Sequence, residues 1–203
     1  SNLRELFIPF IDSAVAGADL NPWATHPSHF FPYGTFLFAA LFIPKKIGFL
    51  LFGTAALGET PLSFALIKLP LLALDIATLA ILSNWSRSRS LLWLYWLNPI
   101  VIYVSFIYGQ LDISSTFFAM ASLFTLSKKQ FKTSALLLAL ATLSKFHVIV
   151  LIPFILSYLW NTQFSRQALK NIGIWISIWV SITIAGFAPH IFANQLLYSS
   201  AAS

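Results

Sequence analysis

The chain has 203 residues, of which 58% are hydrophobic and 9% are charged, and its mean hydropathy is +0.81. Soluble domains carry about 25% charged residues, so this chain has too little polar surface to cover a core of its size, which excludes a soluble globular fold. The net charge of +6 comes from 12 Lys and Arg scattered in small groups between apolar runs. That is the pattern of cytoplasmic loops and not of a nucleic-acid-binding face. There are no cysteines, which rules out disulfides and thiolate metal sites.

The first residues, SNLRELF, lack the basic, apolar and small-residue order of a secretory signal. From there SNLRELFIPFIDSAVAG spaces Leu3, Leu6, Phe7, Phe10, Ile11 and Ala14 at a helical period, with Arg4, Glu5 and Asp12 elsewhere. The spacing predicts an amphipathic helix lying in the membrane interface, bent or restarted at Pro9. Residues 18–34 then mix Pro22, Pro27, Pro32 and Gly34 with aromatics, which predicts an ordered loop at headgroup level.

Residues 33–44 and 47–57 are each short for a crossing and flank Lys45 and Lys46. They read either as a short helical hairpin or as one tilted segment broken at Pro44. Clearer spans follow at 62–83, 90–107 and 112–127, then two short ones at 133–144 and 146–160 hinged at Lys145, and a last one at 171–188. The fold class is therefore all-α, a polytopic transmembrane helical bundle with an interfacial amphipathic helix on its outer face. No internal repeat is evident.

Cations orient the bundle. Arg87 and Arg89, then Lys128, Lys129 and Lys132, then Arg166 and Lys170 fall in every second loop, which makes those loops cytoplasmic. The alternate loops, holding Gln110 and Asp112, Lys145 and His147, and His190, face outward, and so by extrapolation do 58–61 and the first helix. Any chemistry is expected on that outer side.

Asp75, inside KLPLLALDIATLAIL, costs about 2.5–3.5 kcal/mol on insertion scales and must meet a cavity or a partner. Lys68 lies two helical turns earlier on the same face, while Lys145 and Asn98 are candidate partners that would make Asp75 a lock between helices. Asp112 opens a span and can cap it, though capping leaves Gln110 and Gly109 unexplained. Lys145 breaks the charge rule on the outer side, either snorkelling there or meeting a phosphate. His26 and His29 are separated by Pro27, so no helical metal face forms, and no zinc motif is present. A base for an acceptor hydroxyl would come from Glu5, Asp12 or Asp19.

The stretches FIDSAVAGADLNPW, HFFPYG, KLPLLALD, WLNPIVIYVSFIYGQLD and LSKFHVIVLIP occur in that order. Together they resemble the polytopic glycosyltransferases of the C superfold (GT-C), in the branch that holds the GPI mannosyltransferases and bacterial integral membrane relatives. The resemblance implies a hexosyltransferase that moves a mannose-like sugar from a polyprenyl-phosphate donor to a glycan or lipid acceptor on the outer, periplasmic or lumenal face. It implies Glu5, with Asp12 next, as the catalytic base. It implies substrate-binding roles for His29, Tyr33, Lys68, Asp75, Asn98, Gln110, Asp112, Lys145 and His147, with Lys68 and Lys145 supplying a positive field. It names no definite cofactor and leaves a divalent cation open. The expected setting is a bacterial inner membrane, with the chain a single transmembrane domain (1–32 outward helix and loop, 33–203 spans) cut from a longer enzyme. Two other readings compete: a transporter or flippase of a lipid-linked or small polar substrate, and a non-catalytic subunit of a membrane complex that works with a partner subunit.

Overall fold

The computed structural model describes residues 3–17, 31, 33–85, 89–103, 111–161 and 165–201. Every regular element among them is helical. A π-helical turn, Leu3–Phe7, leads into α1 (Ile8–Ala16), with Pro9 in the first turn of α1, where its missing N–H costs nothing. Restart at Pro9 is thus what the chain does. The apolar face of α1 does not rest on the surface of the bundle, however. Phe7, Ile8, Phe10, Ile11, Ala14 and Val15 are all buried. Phe10 stacks on Phe31, with ring centroids 5.2 Å apart, and meets Phe38 edge-on at 5.9 Å. Burial of this aromatic set makes α1 part of the core.

The interrupted stretch after it is one helix, α2 (Thr35–Phe52), which passes through Pro44 without breaking. A 3-10 turn at Gly53–Ala56 and the bend around Gly58 (φ +66°) reverse the chain into α3 (Pro61–Trp85). The next span is broken in two: α4 (Arg89–Trp96) and α5 (Pro99–Ile102). Asn98 joins them, its Oδ1 accepting from the Ile100 N–H at 2.9 Å. Residues 112–127 form α6 (Asp112–Ser127), as their apolar run predicts, and the turn at Lys128–Lys129 sends the chain back through α7 (Phe131–Ser144). Lys145 is extended, a 3-10 turn covers Phe146–Leu151, and α8 (Ile152–Asn161) follows, so the hinge at Lys145 is real. The last helix, α9 (Ser165–Ala201), does not stop at Ala188 but runs on through Pro189.

Three of these segments are long and apolar enough to cross a membrane, at 35–56, 61–85 and 166–189. The chain is a multi-pass integral membrane protein. By contrast, α6 with 16 residues and α7 with 14 span about 24 and 21 Å, less than the ~30 Å hydrocarbon layer. Their paired ends therefore lie within the depth that α3 and α9 cross. Neighbouring contacts fix the level. Trp85 meets Phe124 edge-on, and Leu111 and Ile113 share a cluster with Leu71, ten residues into α3. Trp85 lies 24 residues into α3 and Phe124 only 12 into α6, so α3 begins about 18 Å beyond the start of α6. The space above the short hairpin is filled by α1 and α2: Phe36 meets Phe118 of α6, while Gly48 lies against Leu66 of α3. The turn before α3 thus stands well above the mouth of the α6–α7 hairpin, on the same side of the bundle.

Inside the hairpin, hydroxyls and small residues replace bulk. Ser114 and Ser144 share a hydrogen bond of 2.9 Å, and Ser122 bonds to both the carbonyl and the hydroxyl of Ser134. Trp175 and Trp179 of α9 donate their indole N–H groups to Ser134 and Thr142. Between helices in lipid, where apolar burial gives little drive, such bonds and close small-residue packing hold the contact.

Candidate functional site

Three polar ties lie among the helices, and each answers a charge that the sequence leaves unexplained. The first joins α1, α2 and the turn before α3. Lys45, completely buried, donates to Asp12 Oδ1, and the Gly58 N–H donates to Asp12 Oδ2 at 2.7 Å. Lys46 donates to the Val15 carbonyl at 2.8 Å, closing the C-terminal end of α1. A buried ammonium is tolerated only when matched by a carboxylate, and here one carboxylate also secures a backbone donor.

The second tie is Asp75, 3% exposed, which accepts from the Tyr95 hydroxyl at 2.6 Å and so fixes α4 to α3. The partner is neither Lys145 nor Asn98. Asn98 caps α5 instead, and Lys145 lies with Asp112.

The third tie is at the mouth of the hairpin. Lys145 donates to Asp112 Oδ1, each side chain about a third exposed, at 36% and 34%. Asp112 is the first residue of α6, where its charge faces the positive end of the helix dipole. Its side chain does not cap the helix, since Leu111 occupies the cap position and no side-chain cap bond forms. Tyr33 stands nearby. Burial first, and then the Asp112 charge, raise its phenol above the ordinary value.

A backbone clasp braces this mouth. The Gly34 N–H donates to the Leu143 carbonyl at 2.8 Å, and Thr35 Oγ1 donates to the Gly186 carbonyl at 2.8 Å. A Cβ on Gly34 would sit 2.8 Å from that same carbonyl oxygen, so only glycine fits, although its φ of −70° is ordinary. Gly186 approaches Leu143 from the other side, where an added Cβ would come within 2.5 Å of both methyls. Gly34→Ala is expected to destabilise the protein by about 1–3 kcal/mol, as overpacking typically does. Gly186→Ala should cost less, because a side chain and not a carbonyl must move. Thermal melts of both variants in detergent check the order.

The remaining predicted residues lie on different elements. Glu5 is exposed on the π-helical turn, Lys68 is half-buried on α3, and His147 is exposed in the turn after Lys145. His29 and Gln110 lie outside the described residues. Asp112 matches the charge of Lys145, which lessens any positive field it could share with Lys68. Sequence reasoning missed Lys45 and Tyr95. A lysine within an apolar helix was the available signal for the first, because it demanded a carboxylate and Asp12 was near in sequence order. Tyr95 carried no signal, since interfacial tyrosines need no partner.

No curated protein and no solved structure matched the chain significantly. A family model described as GPI transamidase subunit PIG-U matches residues 78–201, more than half of the chain. It takes in α4 to α9, including Asp112 and Lys145, and leaves out Lys68 and Asp75. This overturns the expectation of a GT-C hexosyltransferase, because the family is that of a transamidase subunit and not of a GPI mannosyltransferase. The bacterial inner-membrane setting falls with it. The motifs behind that expectation have structural partners: Asp75 holds Tyr95, Asn98 caps α5 and Asp112 holds Lys145. The chain belongs to the family of the GPI transamidase subunit PIG-U.

Proposed function

We propose that the chain is a non-catalytic, membrane-embedded subunit of a GPI transamidase complex in the endoplasmic-reticulum membrane. The observation that carries this reading is the family match over residues 78–201. The disposition of carboxylates supports it. Asp12 is engaged by Lys45 and Gly58, Asp75 by Tyr95, and Asp112 by Lys145, so each holds helices together. A general base must be within reach of a substrate proton, and each of these three commits at least one oxygen to the frame, Asp12 both.

In this reading the polar ties are what the subunit contributes: a rigid arrangement of short and long helices against which other membrane subunits assemble. The test is recovery from membranes. Full-length protein carrying an affinity tag, solubilised in mild detergent, is expected to elute with the other transamidase subunits in fixed ratio. Elution of the folded protein alone, with GPI attachment to a reporter unchanged when the chain is depleted, would overturn the reading.

A further inference from the structure

A trough between α6 and α8 plays no part in the ties described above. Its part nearer the basic turn, about 280 Å³, is walled by Trp85, Leu123, Leu126, Ile155 and Tyr158, with Ser127 at the edge. The next part, about 270 Å³, shares Leu123 and continues along α6 past Met120 to Ser115, beside Val148 and Leu151. From Ser127 to Ser115 the trough follows α6 for about 18 Å. Its walls are almost wholly apolar. A helix, at 10–12 Å across, would force them apart, whereas one hydrocarbon chain would not.

The two ends differ in charge. At the upper end Lys145 is matched by Asp112. At the lower end Lys128, Lys129 and Lys132 are all exposed. The Lys128 ammonium lies 5.5 Å from the centre of the Phe124 ring, and that ring meets Trp85 in the trough wall. An ammonium therefore stands at the mouth. Among the described residues no carboxylate pairs with Lys128 or Lys129. Lysines at a membrane surface draw anionic lipid, and a trough open beside them offers a place for its tail.

We propose that this trough seats one acyl chain of an anionic glycerophospholipid from the leaflet on the basic side, with its phosphate held by Lys128 and Lys129. An uncharged headgroup would leave the two ammoniums unmatched, and a zwitterionic one, whose own cation offsets its phosphate, would match them less well. A membrane lipid is the source committed to, because the phosphate position and the apolar trough are continuous.

The experiment uses the full-length protein in nanodiscs with phosphatidylserine carrying a diazirine near the end of one acyl chain. After irradiation, the adducts are mapped by peptide mass spectrometry. Labelling is expected on residues 120–127 of α6 and 152–158 of α8, competed by unlabelled phosphatidylserine but not by phosphatidylcholine. In the double variant Lys128→Gln/Lys129→Gln, whose sites are exposed and should not disturb folding, labelling should fall on the order of tenfold. Equal labelling by a phosphatidylcholine probe, insensitive to the double variant, would show bulk-lipid contact only and overturn the proposal. So would loss of the adducts with inorganic phosphate, which points to a free-anion site. Absence of the adducts from both the protein alone and the assembled complex would overturn it too. None of these outcomes depends on whether the protein elutes with partner subunits, so failure here is separable from failure of the subunit reading.

Discussion

Replacing Asp12 by alanine is expected to destabilise the protein by about 3–5 kcal/mol, the cost of leaving a buried charge without its partner. Lys45 is completely buried, and without Asp12 its ammonium has lost the one carboxylate on it, while the Gly58 N–H loses an acceptor. The substitution therefore damages α1, α2 and the turn before α3 together. Asp12→Asn should fall between wild type and Asp12→Ala, because the amide oxygen can still accept from Gly58 but carries no charge. The double variant Asp12→Ala/Lys45→Met should recover much of the loss, since an apolar side chain of similar length suits the buried site. Thermal unfolding in detergent measures all three. A melting midpoint for Asp12→Ala equal to that of wild type would show that the clamp does not exist.

How much of this was legible beforehand depends on the kind of interaction. The hydrophobic runs gave α3 and α6 to within a few residues, because a span needs a continuous apolar length and the polar residues at its ends mark where it stops. The charge rule grouped Lys128, Lys129 and Lys132 with Arg166 and Lys170, and α7 and α9 do pack side by side, with Trp175 on Ser134 near that end. What the runs could not show was depth. An apolar segment of 14 or 16 residues reads as a weak span, and only the contact of Trp85, near the end of α3, with Phe124 of α6 shows that α6 starts far below α3.

The site was less legible still. Asp12, Asp75, Asp112 and Lys145 all stand out in the sequence, but partner choice is a three-dimensional property. Asp12 and Lys45 are 33 residues apart, as are Asp112 and Lys145. Asp75 found a tyrosine that composition alone assigns to the membrane interface. Read singly, carboxylates in an apolar chain suggest catalysis. Read as pairs, they are joints. The same residues that made the chain resemble a glycosyltransferase are, in the folded protein, what holds its helices in register.

The pair at the hairpin mouth separates these two roles. Asp112→Ala and Lys145→Ala are each expected to cost about 1–3 kcal/mol, less than a fully buried pair because both side chains are about a third exposed. The double variant should cost less than the two losses added, with a coupling of roughly 1–2 kcal/mol, since the second truncation removes a charge already left unpaired. Asp112→Asn should retain part of the stability, as its oxygen can still accept from the Lys145 ammonium. The second readout is assembly. If the pair is a joint, recovery of the complex should follow the stability series, and the GPI attachment catalysed per assembled complex should stay at the wild-type level in all four variants. A variant that assembles normally yet loses attachment would instead give the pair a part in the reaction, and that is the one outcome a purely structural joint forbids.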